Sequence, residues 1–302
     1  MDLKSKIILI YGPTASGKSR FALNLAKKIN GEIINADSMQ IYKELKILSA
    51  RPQQKDYKKI KHHLYGFYSV RKDYSTGKWL KAVEKKIVEI KLKKKVPIIV
   101  GGTGLYFKAL TDGIVKIPII PKSIREKVRA LNKSLGNKKF YKKLVYLDPT
   151  VRNLINSSDT QRIIRAYEVK LFTHKSIYEW YKTTKSSFEK NDFYKILIDF
   201  PRDALVKRIT KRTREMINKG AIEEVKNFMK LKVSKKRTAN KAIGLQEIKD
   251  HIHKKMDIDD VIEKISVKTR QYAKRQTTWS RGNMLDWNTL KSNRLKWFLK
   301  KI

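Results

Sequence analysis

The sequence contains no cysteine, which excludes disulfides, cysteine-based zinc sites and thiol nucleophiles. Histidine is also scarce, and neither of its close pairs, His62 with His63 and His251 with His253, has partners at the spacing of a tetrahedral metal site. The first apolar run, residues 7–11, is too short for a signal-peptide core or a membrane span. We therefore expect a cytoplasmic protein without membrane association.

Acidic residues are few. The 302 residues include 28 Asp and Glu against 71 Lys and Arg, which leaves a formal net charge of +43. Such an excess favours nucleic acid or a polyphosphate ligand as partner and opposes self-association, so a monomer is expected. An AT-rich genome would also give a lysine-rich surface. The case for RNA therefore depends on basic residues at specific positions and not on the total charge. With 41% hydrophobic residues, the chain can bury the core of one large or two smaller domains.

Short apolar runs alternate with helical periods along both ends of the chain. Residues 6–11, 32–36 and 96–100 read as buried strands, and residues 19–28 and 77–93 have a helical period. Residues 195–200 read as a further strand, followed by helices over 203–219, 221–230 and about 259–280, and residues 285–287 are a candidate strand. This alternation predicts an α/β fold with a parallel sheet covered by helices on both faces.

The middle of the chain has a different pattern. Residues 114–194 form short helical stretches interrupted by Pro118, Pro121 and Pro149, with 18 basic against 7 acidic side chains. We therefore predict that residues 1–113 and 195–302 form an α/β core and that residues 114–194 form an inserted helical subdomain.

Residues 12–19, which read GPTASGKS, match the phosphate-binding pattern G-x-x-x-x-G-K-[ST] between a strand and a helix. The backbone N–H groups of such a loop surround an anion, and the helix N-terminus adds a favourable dipole. The predicted phosphate site comprises Gly12, Pro13, Thr14, Ala15, Ser16, Gly17, Lys18 and Ser19. Lys18 would neutralise the phosphates, and Ser19 would hold Mg²⁺.

An acidic partner for this loop is less obvious. Proteins with this loop usually have an acid at the end of a neighbouring strand, whereas residues 98–100 run into GGTG. Asp37 and Asp199 are the well-placed candidates, and Asp37 follows a strand at the edge where ligands bind. A turn or helix cap explains Asp37 equally well at this point. Thr103, in GGTGLY, would add a hydroxyl group near an anionic leaving group.

Five segments together resemble one family: GPTASGKS, NADSMQIY, GGTGLY, DTQRIIRAYEV (159–169) and TRQYAKRQTTWSR (269–281). In this order, over almost the whole chain, they are similar to the tRNA dimethylallyltransferases, also called tRNA isopentenyltransferases. The resemblance implies a P-loop NTPase-like fold and a prenyltransferase. Its reaction moves a dimethylallyl group from dimethylallyl diphosphate to N6 of the adenosine 3′-adjacent to the anticodon, position 37 of tRNA, and gives N6-isopentenyladenosine and diphosphate.

The resemblance also implies residue roles. Asp37 would be the general base that takes the N6 proton, while Lys18, Ser19 with Mg²⁺, Thr103 and Arg212 would stabilise the departing diphosphate, so the loop would grip a leaving group rather than ATP. Residues 114–194 would clamp the anticodon stem-loop. The implied RNA contacts are Asp37, Ser38, Met39, Gln40, Thr103, Arg125, Gln161, Arg162, Ile163, Ile164, Arg165, Lys241, Ala242, Ile243, Gly244, Leu245 and Gln246.

The chain departs from the family at residues 241–245, where Lys-Ala-Ile-Gly-Leu replaces the more usual Arg-x-Ile-Gly-Tyr and removes a planar guanidinium and an aromatic ring. Tyr272 and Trp279 are expected to pack in the core. Three alternatives remain open from the residues: a small-molecule kinase with Asp37 as base, an isopentenyltransferase acting on free adenine nucleotides, and an RNA-binding module with a vestigial loop.

Overall fold

A computed structural model describes residues 3–53, 57 and 60–302. By its internal contacts the chain divides into two compact units: a sheet unit, Met1–Thr111 with Phe188–Ile302, and a helical unit, Asp112–Ser187. The return to the sheet unit comes before residue 195, since Phe193 and Tyr194 already pair with the first strand at Ile7 and Ile8.

The sheet unit contains one parallel sheet. Its strands in chain order are β1 (Ile7–Tyr11), β2 (Gly31–Asn35), β3 (His62–His63), β4 (Val96–Gly101), β5 (Phe193–Asp199) and β6 (Asn288–Lys291). Their order across the sheet is β3-β2-β4-β1-β5-β6, and every neighbouring pair is parallel. The carboxyl ends of β1, β2 and β4 therefore open onto the same edge.

Helices account for most of the remaining chain. They are α1 (Lys18–Lys28), α2 (Thr76–Leu92), α3 (Gly104–Asp112), α4 (Lys122–Leu147), α5 (Thr160–Thr173), α6 (Ile177–Lys182), α7 (Arg202–Asn218), α8 (Ala221–Lys230), α9 (Leu245–Ile252), α10 (Ile258–Asn283) and α11 (Leu295–Lys301). Short 3₁₀ turns lie at Pro149–Val151, Lys190–Asp192, Thr238–Lys241 and Ser292–Arg294.

Helices cover both faces of the sheet, as the sequence predicted. All five residues of β1 are buried, and alternate residues face opposite sides. Ile7 and Leu9 pack in a cluster with Trp79 of α2 and Phe107 of α3. Ile8 and Ile10 pack in a second cluster with α1 and α11. The predicted α/β class is confirmed.

The candidate strand at 285–287 is wrong. Leu285 is 86% exposed, whereas Trp287 packs into the core from a turn. Strand β6 begins at Asn288, directly after the predicted segment, and its polar sequence NTLK lies at the edge of the sheet beside β5. In the part of the chain that the structure describes, no helix is both long and apolar enough to cross a membrane.

The helical unit has its own core. Phe140 and Leu144 of α4 pack against Ile163 and Tyr167 of α5, and all four side chains are buried. Gly136, with φ 71° and ψ 160°, interrupts α4 between Pro121 and Asp148. The unit is thus organised around α4, whose two helical segments meet at Gly136, and α5, and all three prolines lie outside these helices.

Candidate active site

The segment between β1 and α1 forms a tight loop. Ala15 and Gly17 have positive φ angles of 63° and 87°, and the N–H of Ser16 donates to the Pro13 carbonyl at 3.2 Å. Helix α1 begins at Lys18, so its first N–H groups, which lack partners within the helix, lie beside the loop. This is the geometry of an anion site.

Lys18, where the loop joins α1, has a lowered pKa. Its Nζ donates to the Pro13 carbonyl at 3.3 Å. Burial lowers the pKa of Lys18 to about 8; the charge of Asp37 opposes that shift and the charge of Arg212 adds to it. A bound anion would stabilise the ammonium form, so this lysine suits a phosphate ligand.

Asp37 follows β2 and is held by its neighbours. Its N–H donates to Asn35 Oδ1 at 2.9 Å, and its Oδ1 accepts from the N–H of Met39 at 2.9 Å. Asn35 is itself fixed, since its carbonyl accepts from Trp79 Nε1 at 2.9 Å and its Nδ2 donates to the Leu64 carbonyl at 3.0 Å. Within the described residues, Oδ2 of Asp37 has no hydrogen-bond partner, which leaves this oxygen available to accept a proton.

The GGTG segment after β4 lies against Asp37. The N–H of Thr103 donates to the Ala36 carbonyl at 3.2 Å, and Thr103 Oγ1 accepts from the N–H of Ser38 at 3.0 Å. A Cβ at Gly101 would lie 2.0 Å from the Ala36 oxygen, so only glycine permits this approach. Thr103 therefore contacts the residues on either side of Asp37.

Helix α7 brings guanidinium groups to the loop. Arg212 Nη1 donates to Thr14 Oγ1 at 3.3 Å, and burial lowers the pKa of Arg212 while the charge of Asp37 opposes the shift. The Arg208 guanidinium lies 4.8 Å from the Phe200 ring centroid and about 3.5 Å from where a Cβ at Gly17 would stand. Sequence reasoning missed Arg208, although its i, i+4 spacing from Arg212 places both on one helix face.

Two neighbouring cavities share Asp37, Thr14 and Arg212 in their walls. The first has a volume of about 350 Å³ and a cationic lining of Lys18, Arg20, Arg208, Lys211 and Arg212. The second has a volume of about 310 Å³ and a largely apolar lining that includes Met39, Leu48, Ile209, Met216, Ile243 and Ile265. An anion suits the first and an apolar or aromatic group the second, with the carboxylate between them.

Metal binding would depend on few protein groups. Among the residues that the structure describes, no cluster of three His, Asp or Glu side chains could hold a metal ion. The exposed Ser19 lines the cationic cavity at the start of α1. Because Mg²⁺ commonly keeps several waters and binds through substrate phosphates, this donor set fits a magnesium ion accompanied by a diphosphate.

Two residues of α10 complete the site, and neither was predicted there. Tyr272 lines the apolar cavity instead of packing fully in the core, and its pKa is raised by burial and by the charge of Asp37. Gln276, which is 4% exposed, joins the phosphate loop to the GGTG segment. Trp279, in contrast, packs partly buried against the core, as expected.

The predicted RNA-contacting residues of the sheet unit divide into two groups. Ser38, Met39, Lys241, Ala242 and Ile243 line the apolar cavity beside Asp37. The others do not line this cavity. Gln40 lines the cationic cavity instead, and its Nε2 donates to the Ser49 carbonyl at 3.0 Å. Gly244 precedes α9 with φ 97°, Leu245 is 1% exposed in the core, and the exposed Gln246 donates to Asp250 at 2.9 Å.

The remaining predicted RNA contacts lie in the helical unit. Gln161 and Arg162 are exposed in the first turn of α5. Ile163 is fully buried, so its side chain supports the helix core and is not available to RNA; Ile164 is partly buried in the same core. Arg165 lies 3.7 Å from the buried Glu168. Arg125 lies on α4 with its Nε buried and without a hydrogen-bond partner among the described residues.

The parallel sheet, the loop after β1 and the cationic cavity define a protein of the P-loop NTPase-like class. Residues 40–283 match the family model for IPP transferase. A curated relative from Pelagibacter ubique, named tRNA dimethylallyltransferase, is 54% identical over all 302 residues and 96% of its own length. One of the same name from Agrobacterium fabrum is 42% identical over 95% of this chain and 96% of its own. The chain belongs to the IPP transferase family.

Solved structures agree with this membership. A tRNA delta(2)-isopentenylpyrophosphate transferase from Staphylococcus epidermidis is 31% identical and superposes with a TM-score of 0.68 over 98% of this chain and 97% of its own. A eukaryotic dimethylallyltransferase, captured acting on tRNA, is 28% identical and superposes with a TM-score of 0.83 over 95% of this chain and 74% of its own.

Proposed function

We propose that this chain transfers a dimethylallyl group from dimethylallyl diphosphate to N6 of the adenosine at position 37 of tRNA, next to the anticodon, and releases diphosphate. The observation that carries this proposal is the position of Asp37 between a cationic and a largely apolar cavity. A carboxylate there lies between a site for a leaving diphosphate and a site for a base and a short prenyl group. The names of the curated relatives support the same reaction.

On the donor side, the chain would stabilise negative charge as it develops. The loop N–H groups, Lys18, Arg208 and Arg212 surround the cationic cavity, where a diphosphate would accept their hydrogen bonds. Mg²⁺, held through Ser19 and the phosphates, would supply further neutralisation. Because an allylic carbon tolerates partial positive charge, stabilisation of the departing oxygen lowers the barrier directly.

On the acceptor side, Asp37 would act as general base. The lone pair of N6 forms a bond to the allylic carbon, the bond from that carbon to the diphosphate oxygen breaks, and its electron pair leaves with the diphosphate. The N6 proton passes to the free Oδ2 of Asp37. The backbone bonds to Asn35 and Met39 would hold the carboxylate in place during this transfer.

RNA binding would involve both units separately. In the sheet unit, the surface around Lys241 and Met39 would receive an unstacked adenine, since proteins reach such bases most readily in single-stranded loops. In the helical unit, we assign phosphate or base contacts to the exposed Gln161 and Arg162. The charge of the chain also leads us to propose that it acts as a monomer, which light scattering would test.

The proposed reaction is tested by incubation with Mg²⁺ and labelled dimethylallyl diphosphate, with either tRNA or AMP as acceptor, followed by nucleoside analysis. We expect label on adenosine N6 in tRNA alone. Label on AMP would assign the chain to the free-nucleotide reaction, and no label with either acceptor would contradict the proposal.

Asp37→Asn tests the base. The amide keeps an oxygen for the Met39 N–H but accepts the N6 proton poorly, so kcat should fall by about two orders of magnitude or more while tRNA binding persists. Asp203→Asn, an exposed position on α7, serves as the control and should retain activity. Near-normal turnover of Asp37→Asn would remove Asp37 from this role.

A further inference from the structure

Gln276 uses its whole amide to join two separate segments of the site. Its Oε1 accepts from the N–H of Thr14 at 2.8 Å, and its Nε2 donates to the Gly102 carbonyl at 2.7 Å. The Gln276 carbonyl also accepts from the Tyr11 hydroxyl at 2.9 Å, which ties this point of α10 to β1. The side chain is buried, so water cannot readily replace these bonds.

The bond to Thr14 determines the direction of one N–H in the phosphate loop. Because the Thr14 N–H donates to Gln276, it is not available to a bound anion, and the anion must rely on the later N–H groups of the loop. The Thr14 hydroxyl meanwhile accepts from Arg212. Gln276 and Arg212 therefore hold Thr14 by its backbone and its side chain.

The hydrogen bond from Gln276 Nε2 to the Gly102 carbonyl holds the segment that contacts the neighbours of Asp37. Gly102 immediately precedes Thr103, whose N–H and hydroxyl contact Ala36 and Ser38, the residues on either side of Asp37. A Cβ at Gly102 would lie 2.1 Å from Gln276 Nε2, so this position has no room for a side chain. The packing of Gly102 against the amide is therefore close and specific.

We propose that Gln276 is a positioning residue that sets the distance between the leaving-group loop and the segment carrying the base. The inference rests on the proposed function, in which the diphosphate lies in the loop and the N6 proton goes to Asp37. The Gln276 amide bonds to the Thr14 N–H in the phosphate loop and to the carbonyl of Gly102, the residue before Thr103. One side chain therefore holds both the loop for the leaving group and the segment that carries the base. Reactivity in such a step depends steeply on alignment, and small misplacements cost large factors in rate.

Two substitutions separate the two halves of this bridge. Gln276→Glu keeps an oxygen that accepts from Thr14, loses the donor to Gly102 and adds a negative charge beside the phosphate loop. Gln276→Met has a similar length and loses both bonds. The matched control is Gln271→Glu, an exposed position on the same helix. The measurements are the single-turnover rate with both substrates saturating, the Kd values for tRNA and inorganic diphosphate, and the thermal midpoint.

For Gln276→Glu we expect a single-turnover rate lowered about tenfold or more with both substrates saturating and a tRNA Kd within about threefold of the unsubstituted chain. Its diphosphate Kd should be weaker, because the added carboxylate repels an anion in the loop. For Gln276→Met we expect the same loss of rate together with weaker diphosphate binding. Gln271→Glu should match the unsubstituted chain. A residue that only stabilised the fold would change the thermal midpoint and both Kd values without a specific loss of rate.

A rate for Gln276→Glu within about threefold of the unsubstituted chain would overturn the inference. If that variant does not fold, the same threshold applied to Gln276→Met decides. An unsubstituted chain that transfers no dimethylallyl group would contradict the proposed function instead. In that case, diphosphate binding that weakens in Gln276→Met, which adds no charge, still supports the bridge, and a diphosphate Kd for Gln276→Met within about threefold of the unsubstituted chain overturns it.

Discussion

Lys18 gives the site a pH dependence at the scale of a single residue. Its pKa is lowered to about 8 in the free protein, so the ammonium form is complete well below pH 8 and is lost as the pH rises through that value. Because kcat/KM reports ionisations of the free enzyme, we expect kcat/KM for the prenyl diphosphate to fall about tenfold per pH unit at higher pH. A pH profile with the donor varied at a tRNA concentration well below saturation measures this.

Lys18→Arg provides the comparison, since arginine stays charged throughout the range. Whatever activity this variant keeps should lack the falling limb near pH 8. If the limb persists unchanged, another group causes it and the attribution to Lys18 is wrong.

The sequence predicts candidate site residues where a local pattern surrounds them. The phosphate loop, Asp37 and Thr103 each follow a buried strand, so their position at one edge of the sheet could be predicted from the strands alone. Gln276 had no such signal, because one glutamine on a basic, amphipathic helix looks like a surface residue. Its partners, Thr14 and Gly102, lie 262 and 174 residues away. Only the packing of α10 brings them together.

At the scale of an element, Gly136 breaks α4 with a backbone conformation that favours glycine. A Cβ there would meet nothing within 4 Å, so the cost of a substitution is conformational alone. We expect Gly136→Ala to destabilise the helical unit by about 1 to 3 kcal/mol. Hydrogen exchange of the amides in α4 and α5 should become correspondingly faster.

Gly282 in α10 is the matched position, since it also has open space around a Cβ but lacks a positive φ. Gly282→Ala should stabilise by about 0.4 to 1 kcal/mol because it restricts the unfolded chain. The two substitutions should therefore have opposite signs. The same sign for both would contradict the conformational explanation.

Strand prediction succeeded where the strand has an apolar run. Strands β1, β2 and β4 are fully buried, and their apolar runs identified them. Strand β3 has two half-buried histidines, and β6 is mostly exposed, so neither has an apolar run. Their pairing depends on neighbours distant in sequence, at the two edges of the sheet. Residues 122–147 show that Pro121 and Pro149 correctly marked the ends of a helical region, whereas the break at Gly136 inside it was not predicted.

At the scale of the whole molecule, the net charge of +43 predicts tRNA binding that depends strongly on salt. Each phosphate contact releases counterions, so the plot of log K against log salt should be linear with a slope of about −0.7 to −0.9 per contact. Binding of an anticodon stem-loop measured across salt concentrations provides the slope. A flat response would contradict a phosphate-dominated interface.

Arg162→Ala makes this prediction specific, since loss of one phosphate contact should make the slope shallower by about 1. Lys91→Ala is the control. Lys91 is exposed near the end of α2, just before β4, and therefore lies at the amino-terminal edge of the sheet, opposite the site. Equal effects of the two substitutions would point to diffuse attraction instead of a placed contact.

The strand order has a consequence for synthesis on the ribosome. Central strand β1 pairs with β4 on one side and with β5 on the other, and the helical unit separates those two partners along the chain. At a synthesis rate of about 5 to 20 residues per second, about 5 to 20 s pass between the synthesis of β4 and that of β5. During that interval an apolar strand edge is open to mispairing with other nascent chains. The insertion can complete its own core first, and the sheet closes last.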